Sequence, residues 1–256
     1  MKPVRLLVIG AGSRGTAYSR YIDQHSADAV VVGVADPSEF HRSQIAEMFD
    51  IPGENVWDDW TRAASKPRLA DAAIIATPDS LHVEPAIALA EKGYHILLEK
   101  PMAPTEADCR RIIRAVEDRG DIRFAVCHVL RYTHYTQVIK SIIDSGRIGR
   151  IVNVQHLEPV GYWHQAHSFV RGNWRNEAES SFMLLAKSCH DIDWIRYIVG
   201  QSCRRVSSFG SLLHFTRANQ PDEAAERCVD CGVEANCPYS ARKIYMGMLA
   251  KGRTDW

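Results

Sequence analysis

Apolar and polar residues follow two different patterns between residues 1 and 126. Short runs rich in Val, Ile and Ala predict buried strands, and longer stretches with apolar residues at helical spacing predict helices between them. This alternation is typical of a parallel sheet with crossover helices, and we expect a doubly wound α/β domain. The predicted strands are Val4–Ile9, Ala29–Ala35, Ala72–Ala76, His95–Leu98 and Arg123–Cys127, and the predicted helices are Thr16–Gln24, Glu39–Phe49, Glu84–Lys92 and Thr105–Arg119.

The last of these helices carries signals at both ends. Thr105 is a good N-cap residue and Asp108 stands three positions later, which is close to a capping box. Gly120 follows the helix and suits the left-handed conformation in which many helices end. Both ends of this helix therefore agree with the periodicity.

The pattern changes after residue 126, and we expect a second, α+β domain over residues 127–256. Its aromatic and His-rich segment Pro159–Trp174 is predicted to be a loop. The remaining predicted elements are a helix at Tyr135–Ser145, a turn at Gly146–Gly149, a strand at Arg150–His156, a helix at about Phe182–Val199 and a strand at Arg204–Phe209.

The charge balance excludes long-range attraction as a source of binding. The chain has 31 Lys and Arg residues against 31 Asp and Glu residues, so nothing favours nucleic acid or an anionic membrane surface. No apolar run approaches the ~20 residues that a membrane helix needs. The seven cysteines are an odd number and argue against a secreted disulfide framework. A neutral small molecule fits this balance, and we expect a cytoplasmic protein.

A glycine-rich loop follows the first predicted strand and opens the first predicted helix. Gly10 permits the tight turn, Gly12 lets the backbone approach a diphosphate, and Gly15 allows the helix to pack on the strand. The helix N-terminus offers amides and a positive dipole end to phosphates. Three glycines alone are weak evidence, but this strand–loop–helix context predicts a dinucleotide site that includes Ser13 and Arg14.

An acidic residue at the end of the second strand points to the kind of dinucleotide. Asp36 can accept hydrogen bonds from the adenosine ribose hydroxyls, and its charge would repel a 2′-phosphate. The sequence therefore favours NAD over NADP, although Arg14 and Arg42 nearby can soften that preference. The alternative is a glycine turn that binds another ligand.

Two further segments end the third and fourth predicted strands: Ala76–His82 and Glu99-Lys100-Pro101. Together with the glycine loop they resemble the Gfo/Idh/MocA oxidoreductase family, which includes glucose–fructose oxidoreductase and inositol dehydrogenases. The resemblance implies that Lys100 contacts the reacting hydroxyl or carbonyl of the substrate. A lysine at a strand end in a partly dry cleft is also suited to proton transfer.

The resemblance also assigns residues along the cofactor cleft and at the entry to the second domain. Thr77, Pro78 and His82 match the segment that lines the cleft, and Arg131 is kept where Val129 replaces an expected asparagine. The cofactor-binding residues predicted are Gly10, Gly12, Ser13, Arg14, Gly15, Asp36, Thr77, Pro78, His82, Glu99 and Lys100.

The segment from Phe182 to Asp193 resembles the family's catalytic helix. His190 occupies the position of its histidine, which can take the hydroxyl proton, but Ala186 stands where an aspartate is usual. Lys187 lies three residues before His190 on nearly the same helical face. We expect Lys100 and His190 to be the catalytic pair, with Lys187 as an auxiliary group.

The missing aspartate leaves two interpretations open, a subgroup that uses Lys and His, and a protein that has lost redox turnover. The first gives an NAD(P)-dependent oxidation of a secondary alcohol of a sugar, cyclitol or related polyol. The second gives a dinucleotide-binding sensor or scaffold, and a hydrolase that oxidises its substrate transiently is a third hypothesis. Arg131, Trp163 and His164 are predicted substrate residues, since aromatic rings and polar groups suit a sugar, although the aromatic segment equally fits an interface.

Three cysteines near the C-terminus form a separate cluster. Cys228, Cys231 and Cys237 can supply three ligands to a structural zinc ion, which His214 or Cys203 would have to complete. In a reducing compartment they can equally remain free thiols. Family members continue well beyond this length with an open antiparallel sheet, so we expect a shortened second domain and association into a homo-oligomer.

Overall fold

The computed structural model describes residues 2–252 in two compact units, the first ending at His128 and the second beginning at Val129. The first unit is built on a six-stranded, wholly parallel sheet of order β3-β2-β1-β4-β5-β6. Its order reverses between β1 and β4, and this confirms the predicted doubly wound α/β domain. The strands are β1 Val4–Ile9, β2 Ala29–Ala35, β3 Val56–Trp57, β4 Ala72–Ile75, β5 His95–Leu98 and β6 Phe124–Val126.

Helices cover both faces of this sheet. Leu7 and Ile9 of β1 lie in one buried cluster with Ile112, whereas Val8 lies in a second cluster with Ile45. Both faces of the strand are thus buried, which is why β1 is a continuous apolar run rather than an alternating one. The helices are α1 Ser13–Gln24, α2 Glu39–Met48, α3 Trp60–Ser65, α4 Val83–Glu91 and α5 Glu106–Arg119.

The caps predicted for α5 are present. The Thr105 side chain accepts a hydrogen bond from the Asp108 amide at 3.1 Å, and Gly120 ends the helix with φ of 70°. The periodicity missed β3 and α3, because a two-residue strand and a six-residue helix are too short to show a period.

The second unit is helical where it is regular, and the part that the structure describes contains no strand. The predicted strands at Arg150–His156 and Arg204–Phe209 are wrong, since both segments lack regular secondary structure. A strand needs a neighbour for its backbone hydrogen bonds, and neither segment has one here. The helices are α6 His134–Asp144, α7 Tyr162–His164, a π-helical turn Gln165–Val170, α8 Met183–Ala186, α9 Cys189–Val199 and α10 Ala241–Leu249.

Two boundaries in this unit differ from the prediction. The helix predicted over Phe182–Val199 is interrupted at Lys187 and Ser188, which separate α8 from α9. The segment predicted as a loop, Pro159–Trp174, contains α7 and the π-helical turn. Every helix within residues 2–252 is too short or too polar to cross a lipid bilayer.

Adjacent isoleucines of α5 test how the helix packs on the sheet. Ile112 is fully buried, whereas the side chain of Ile113 is 40% exposed. We expect Ile112→Ala to lower the free energy of unfolding by ~3 kcal/mol, because the substitution leaves a cavity. Ile113→Ala is the matched control and should cost less than ~1 kcal/mol in the same denaturant titration. Equal losses would contradict this packing.

Candidate functional site

The three glycines of the loop after β1 are required for different reasons. Gly10 has φ of 90°, and a Cβ there would lie 2.6 Å from the Ala76 carbonyl carbon. A Cβ on Gly15 would lie 2.0 Å from the Gly10 oxygen, whereas a Cβ on Gly12 would meet no atom within 4 Å. Gly10 and Gly15 therefore serve the fold, and Gly12 keeps open the approach to the backbone.

The amino end of α1 is suited to an anion. Gly12 is its N-cap residue, no side chain caps the helix, and the first turn, which begins at Ser13, contains no acidic residue. Helix amides and the dipole then favour a negative group at this end. The loop and α1 together fit the diphosphate of a dinucleotide.

Asp36 joins the end of β2 to the glycine loop. Its Oδ2 accepts a hydrogen bond from the Ala11 amide at 2.6 Å, and its Oδ1 accepts one from the Ser38 amide at 2.8 Å. A carboxylate has about four acceptor positions, so capacity remains for ribose hydroxyls. Arg42 bonds to the backbone oxygens of Asp36 and Pro37. The sequence predicts Asp36 as a ribose acceptor; in the structure its carboxylate anchors the loop.

A buried carboxylate connects α1 to the end of β5. Glu99 Oε1 accepts hydrogen bonds from Arg14 Nε at 2.9 Å and from the Tyr18 hydroxyl at 2.6 Å. Glu99 Oε2 accepts the amide of Lys100 at 3.0 Å, so the same side chain fixes the backbone of the predicted catalytic lysine. Sequence reasoning named Arg14 and Glu99 separately; it missed Tyr18, whose spacing of one helical turn from Arg14 was the available signal.

The electrostatics of this network favour an ionised Glu99. Burial alone would raise the pKa of Glu99, but the hydrogen bonds from Tyr18 and Arg14 and the charge of Arg14 hold it below its usual range. Burial, with the neighbouring Cys127 and Glu99, raises the pKa of Tyr18, and burial raises the pKa of the Cys127 thiol to about 11. Tyr18 and Cys127 therefore stay neutral at physiological pH, while Glu99 carries the negative charge.

His82 ties together the segments that follow β4 and β5. Its ring is buried, with Nδ1 at 2.8 Å from the Pro101 oxygen and Nε2 at 2.9 Å from the Thr77 oxygen. The peptide bond between Lys100 and Pro101 is cis. Thr77, Pro78 and Lys100 thus lie at the carboxyl ends of adjacent strands, where ligands of doubly wound sheets bind. Each ring nitrogen of His82 therefore contacts a backbone oxygen of a different segment at this edge.

The second unit contains a cavity of about 330 Å³. The structure brings Lys187 and His190 together in its lining, as sequence reasoning expected, and adds His156, Glu158 and Asp191. Sequence reasoning missed both His156, which it assigned to a strand, and Glu158, which it assigned to no element. The apolar part of the lining consists of Leu130, Tyr135, Ile139 and Trp194.

Two acid–base pairs occupy the polar side of this cavity. His156 Nε2 lies 2.8 Å from Asp191 Oδ1, and Lys187 Nζ lies 2.9 Å from Glu158 Oε1. Ala186 is buried, with 3% of its surface exposed. The position that usually holds an aspartate is therefore apolar here, and both carboxylates of the cavity come from other positions.

The metal-ligand geometry differs from the sequence prediction. Within residues 2–252, donor atoms of three or more potential ligands lie within 4.8 Å of one another only at His156, Glu158 and Asp191. A cation there would have to displace the Lys187 ammonium from Glu158. The existing ion pair therefore disfavours metal binding by these three residues.

The structure does not support the predicted zinc site. The sulfurs of Cys228, Cys231 and Cys237 do not converge to ligand distance, and neither His214 nor Cys203 completes a group with them. A short 3₁₀-helix begins at Cys228 and ends before Cys231. The Cys228 sulfur accepts a hydrogen bond from the Ala241 amide at 3.4 Å. The CxxC segment here supports the start of α10.

The predicted substrate residues Arg131, Trp163 and His164 are not among the residues that line this cavity. Arg131 forms a two-point ion pair with Asp193, with Nε at 2.7 Å from Oδ2, and its guanidinium lies over the ring of Tyr197. Trp163 and His164 stack with ring centroids 5.4 Å apart on α7. These contacts give Arg131 a structural pairing on α9, and the cavity lining includes none of the three.

Two family models match the chain. An oxidoreductase family model with an NAD-binding Rossmann fold matches residues 4–128, and the GFO/IDH/MocA C-terminal domain model matches residues 136–235. The chain belongs to the Gfo/Idh/MocA oxidoreductase family. This confirms the resemblance drawn from the glycine loop and the Glu99-Lys100-Pro101 segment.

Relatives with a named activity include dehydrogenases of cyclitols and sugars and also 2,7-anhydro-N-acetylneuraminate hydratases. The chain is 31% identical over 201 residues to inositol 2-dehydrogenase of Streptomyces avermitilis, with 78% of this chain and 54% of that protein covered. It is 32% identical over 208 residues to levoglucosan dehydrogenase of Pseudarthrobacter phenanthrenivorans, with 78% and 52% covered. The chain therefore spans about half the length of these curated relatives.

Solved structures share the fold. The structure of scyllo-inositol dehydrogenase from Lactobacillus casei with bound NAD(H) and scyllo-inositol superimposes with a TM-score of 0.67 at 20% identity. The match covers 78% of this chain and 57% of that one.

The Glu99 network predicts a pH-dependent contribution to stability. Because the folded-state pKa of Glu99 lies below its usual value, its contribution is present above pH ~4.3 and is lost as the pH falls through the folded-state pKa. We expect Glu99→Gln to lower the free energy of unfolding by ~1–2 kcal/mol at pH 7. The difference from the parent chain should shrink below pH ~4. Glu91→Gln, an exposed control, should show no such trend in denaturant titrations; a constant difference for Glu99→Gln would contradict the ionised pairing.

Proposed function

We propose that this chain carries out the oxidation of a secondary alcohol of a sugar, cyclitol or related polyol with NAD, and the reverse reduction. The observation that carries the proposal is the edge where the glycine loop, Asp36 and Lys100 follow β1, β2 and β5 of one parallel, doubly wound sheet. Bound NAD supplies the hydride acceptor, so the chain itself has to bind, orient and deprotonate the alcohol.

The residues of the first unit fit NAD. The loop from Gly10 to Gly15 and the amino end of α1 would hold the diphosphate, and Asp36 would accept the ribose hydroxyls. The two arginines that could attract a 2′-phosphate are engaged, since Arg14 pairs with Glu99 and Arg42 binds backbone oxygens. These pairings support NAD over NADP.

The chemistry is assigned to two side chains and an auxiliary one. Lys100, whose amide is held by Glu99, would contact the reacting oxygen and stabilise charge that develops on it. His190 lines the cavity of the second unit and would take the hydroxyl proton. Lys187 would assist in the same cavity, where it is paired with Glu158. Aspartate at position 186 is then dispensable.

The open space at Gly12 predicts a selective loss of cofactor binding. Gly12→Ala places a methyl group where no protein atom lies within 4 Å, so the fold should be unaffected while the approach of the diphosphate is blocked. We expect an unchanged Tm and at least ~10-fold weaker NAD binding by calorimetry. Gly53→Ala, which also meets no atom within 4 Å, is the control outside the loop. Unchanged NAD affinity in Gly12→Ala would refute the assignment of this loop.

Replacing Lys100 separates binding from turnover. Lys100→Met should lower kcat by ~100-fold or more while NAD affinity stays within a few fold, because the side chain acts on the substrate oxygen. The measurement is absorbance of NADH with a panel of sugars and cyclitols, accompanied by product analysis. Lys92→Met, on an exposed lysine at the end of α4, is the control.

The outcomes of this assay distinguish the hypotheses. Turnover by the parent chain that Lys100→Met leaves intact would sink the catalytic assignment. NAD binding without any turnover across the panel would favour the sensor or scaffold. Product formation without net NADH would favour transient oxidation by a hydrolase.

A further inference from the structure

The charged side chains that line the 330 Å³ cavity of the second unit disfavour the binding of anionic ligands. One lysine faces two carboxylates in its lining, which leaves a net charge of −1 when His156 and His190 are neutral. Lys187 is already paired with Glu158 at 2.9 Å. An anionic ligand would therefore meet two carboxylates and a cation whose charge is compensated, and like charges at close range are costly.

The same side chains suit the hydroxyl groups of a neutral ligand. Carboxylates accept hydrogen bonds, an ammonium donates them, and imidazole does both, while Trp194 and Leu130 offer apolar surface to a ring. A cavity of about 330 Å³ lies in the range of small-molecule sites. A neutral polyol can therefore bind in this cavity without disturbing the pairing of its charged side chains.

Glu158 and Asp191 contribute differently to this selectivity. Asp191 is buried, with 9% of its side chain exposed, and is paired with His156, so it is part of the packed helix α9. Glu158 is 36% exposed, lies in a segment without regular secondary structure, and pairs with Lys187 at the cavity. Its charge can be removed with little effect on packing, which makes it the adjustable member of the two pairs.

We propose that Glu158 is the specificity-determining residue of this site: by neutralising Lys187 it restricts the substrate to uncharged sugars and cyclitols and excludes sugar acids. This inference rests on the proposed function and specifies its substrate class. Without the Glu158 carboxylate, the Lys187 ammonium becomes available to a ligand carboxylate, and the same cavity accepts a uronate.

A pair of matched sugars tests the proposal. Glucose and glucuronate differ at one carbon, which is a hydroxymethyl group in the first and a carboxylate in the second. We expect the parent chain to prefer glucose in binding and in kcat/KM, and Glu158→Gln to shift the glucuronate-to-glucose ratio upward by about tenfold or more. The double variant Glu158→Gln/Lys187→Gln should lose this gain, because the gain depends on the released ammonium.

A glutamate in another ion pair provides the control. Glu179 pairs with Arg175 at 2.6 Å on the surface of the same unit, and Glu179→Gln should leave the ratio unchanged. A ratio that stays within twofold in Glu158→Gln, or a gain that persists in the double variant, would overturn the proposal. Preferential use of glucuronate by the parent chain would overturn it as well.

A binding measurement keeps this test separate from that of the proposed function. Saturation-transfer NMR with glucose and glucuronate reports the ratio of bound sugars for each variant without turnover. If the parent chain binds glucose but produces no NADH, the proposed redox function fails while the ratio still decides the role of Glu158. Absence of binding of both sugars by the parent chain and by Glu158→Gln would overturn the specificity proposal.

Discussion

The close approach of Gly15 to Gly10 is the contact on which the cofactor edge depends. A Cβ at Gly15 would lie 2.0 Å from the Gly10 oxygen, so α1 can begin directly after β1 only when this position is glycine. The tight turn then directs the amino end of α1 toward the edge where β4 and β5 also end. Glu99, which follows β5, reaches back to Arg14 and Tyr18 on α1. Loop geometry and lysine placement are consequently coupled through one buried carboxylate.

The polar side chains at this edge bond to backbone more often than to one another. Asp36 accepts two amides, Glu99 accepts the amide of Lys100, and His82 faces two carbonyl oxygens. Buried polar groups need such partners, and backbone partners also fix the loops in position. The site residues therefore organise the loops that carry them, which is a form of preorganisation before any ligand binds.

Local signals predicted the first unit well and the second unit poorly, for physical reasons. In the first unit, strands buried on both faces give uninterrupted apolar runs, and caps such as Thr105 and Gly120 mark helix ends. In the second unit the segments at Arg150–His156 and Arg204–Phe209 were predicted as strands, yet a strand forms only where a neighbour supplies hydrogen bonds. Sequence gives the period of a segment but not its partner. The pairing of Glu158 with Lys187 was invisible for the same reason, because it joins residues 29 positions apart.

The buried alanine at position 186 bears on whether the second unit retains chemistry. If a carboxylate were simply missing, the cavity would be expected to become apolar around Ala186. The lining instead holds two carboxylates, from Glu158 and Asp191, each paired with a basic side chain. Asp191 is buried and would be costly without a partner, and both it and the more exposed Glu158 are paired. The two pairings therefore keep this cavity polar although position 186 is an alanine.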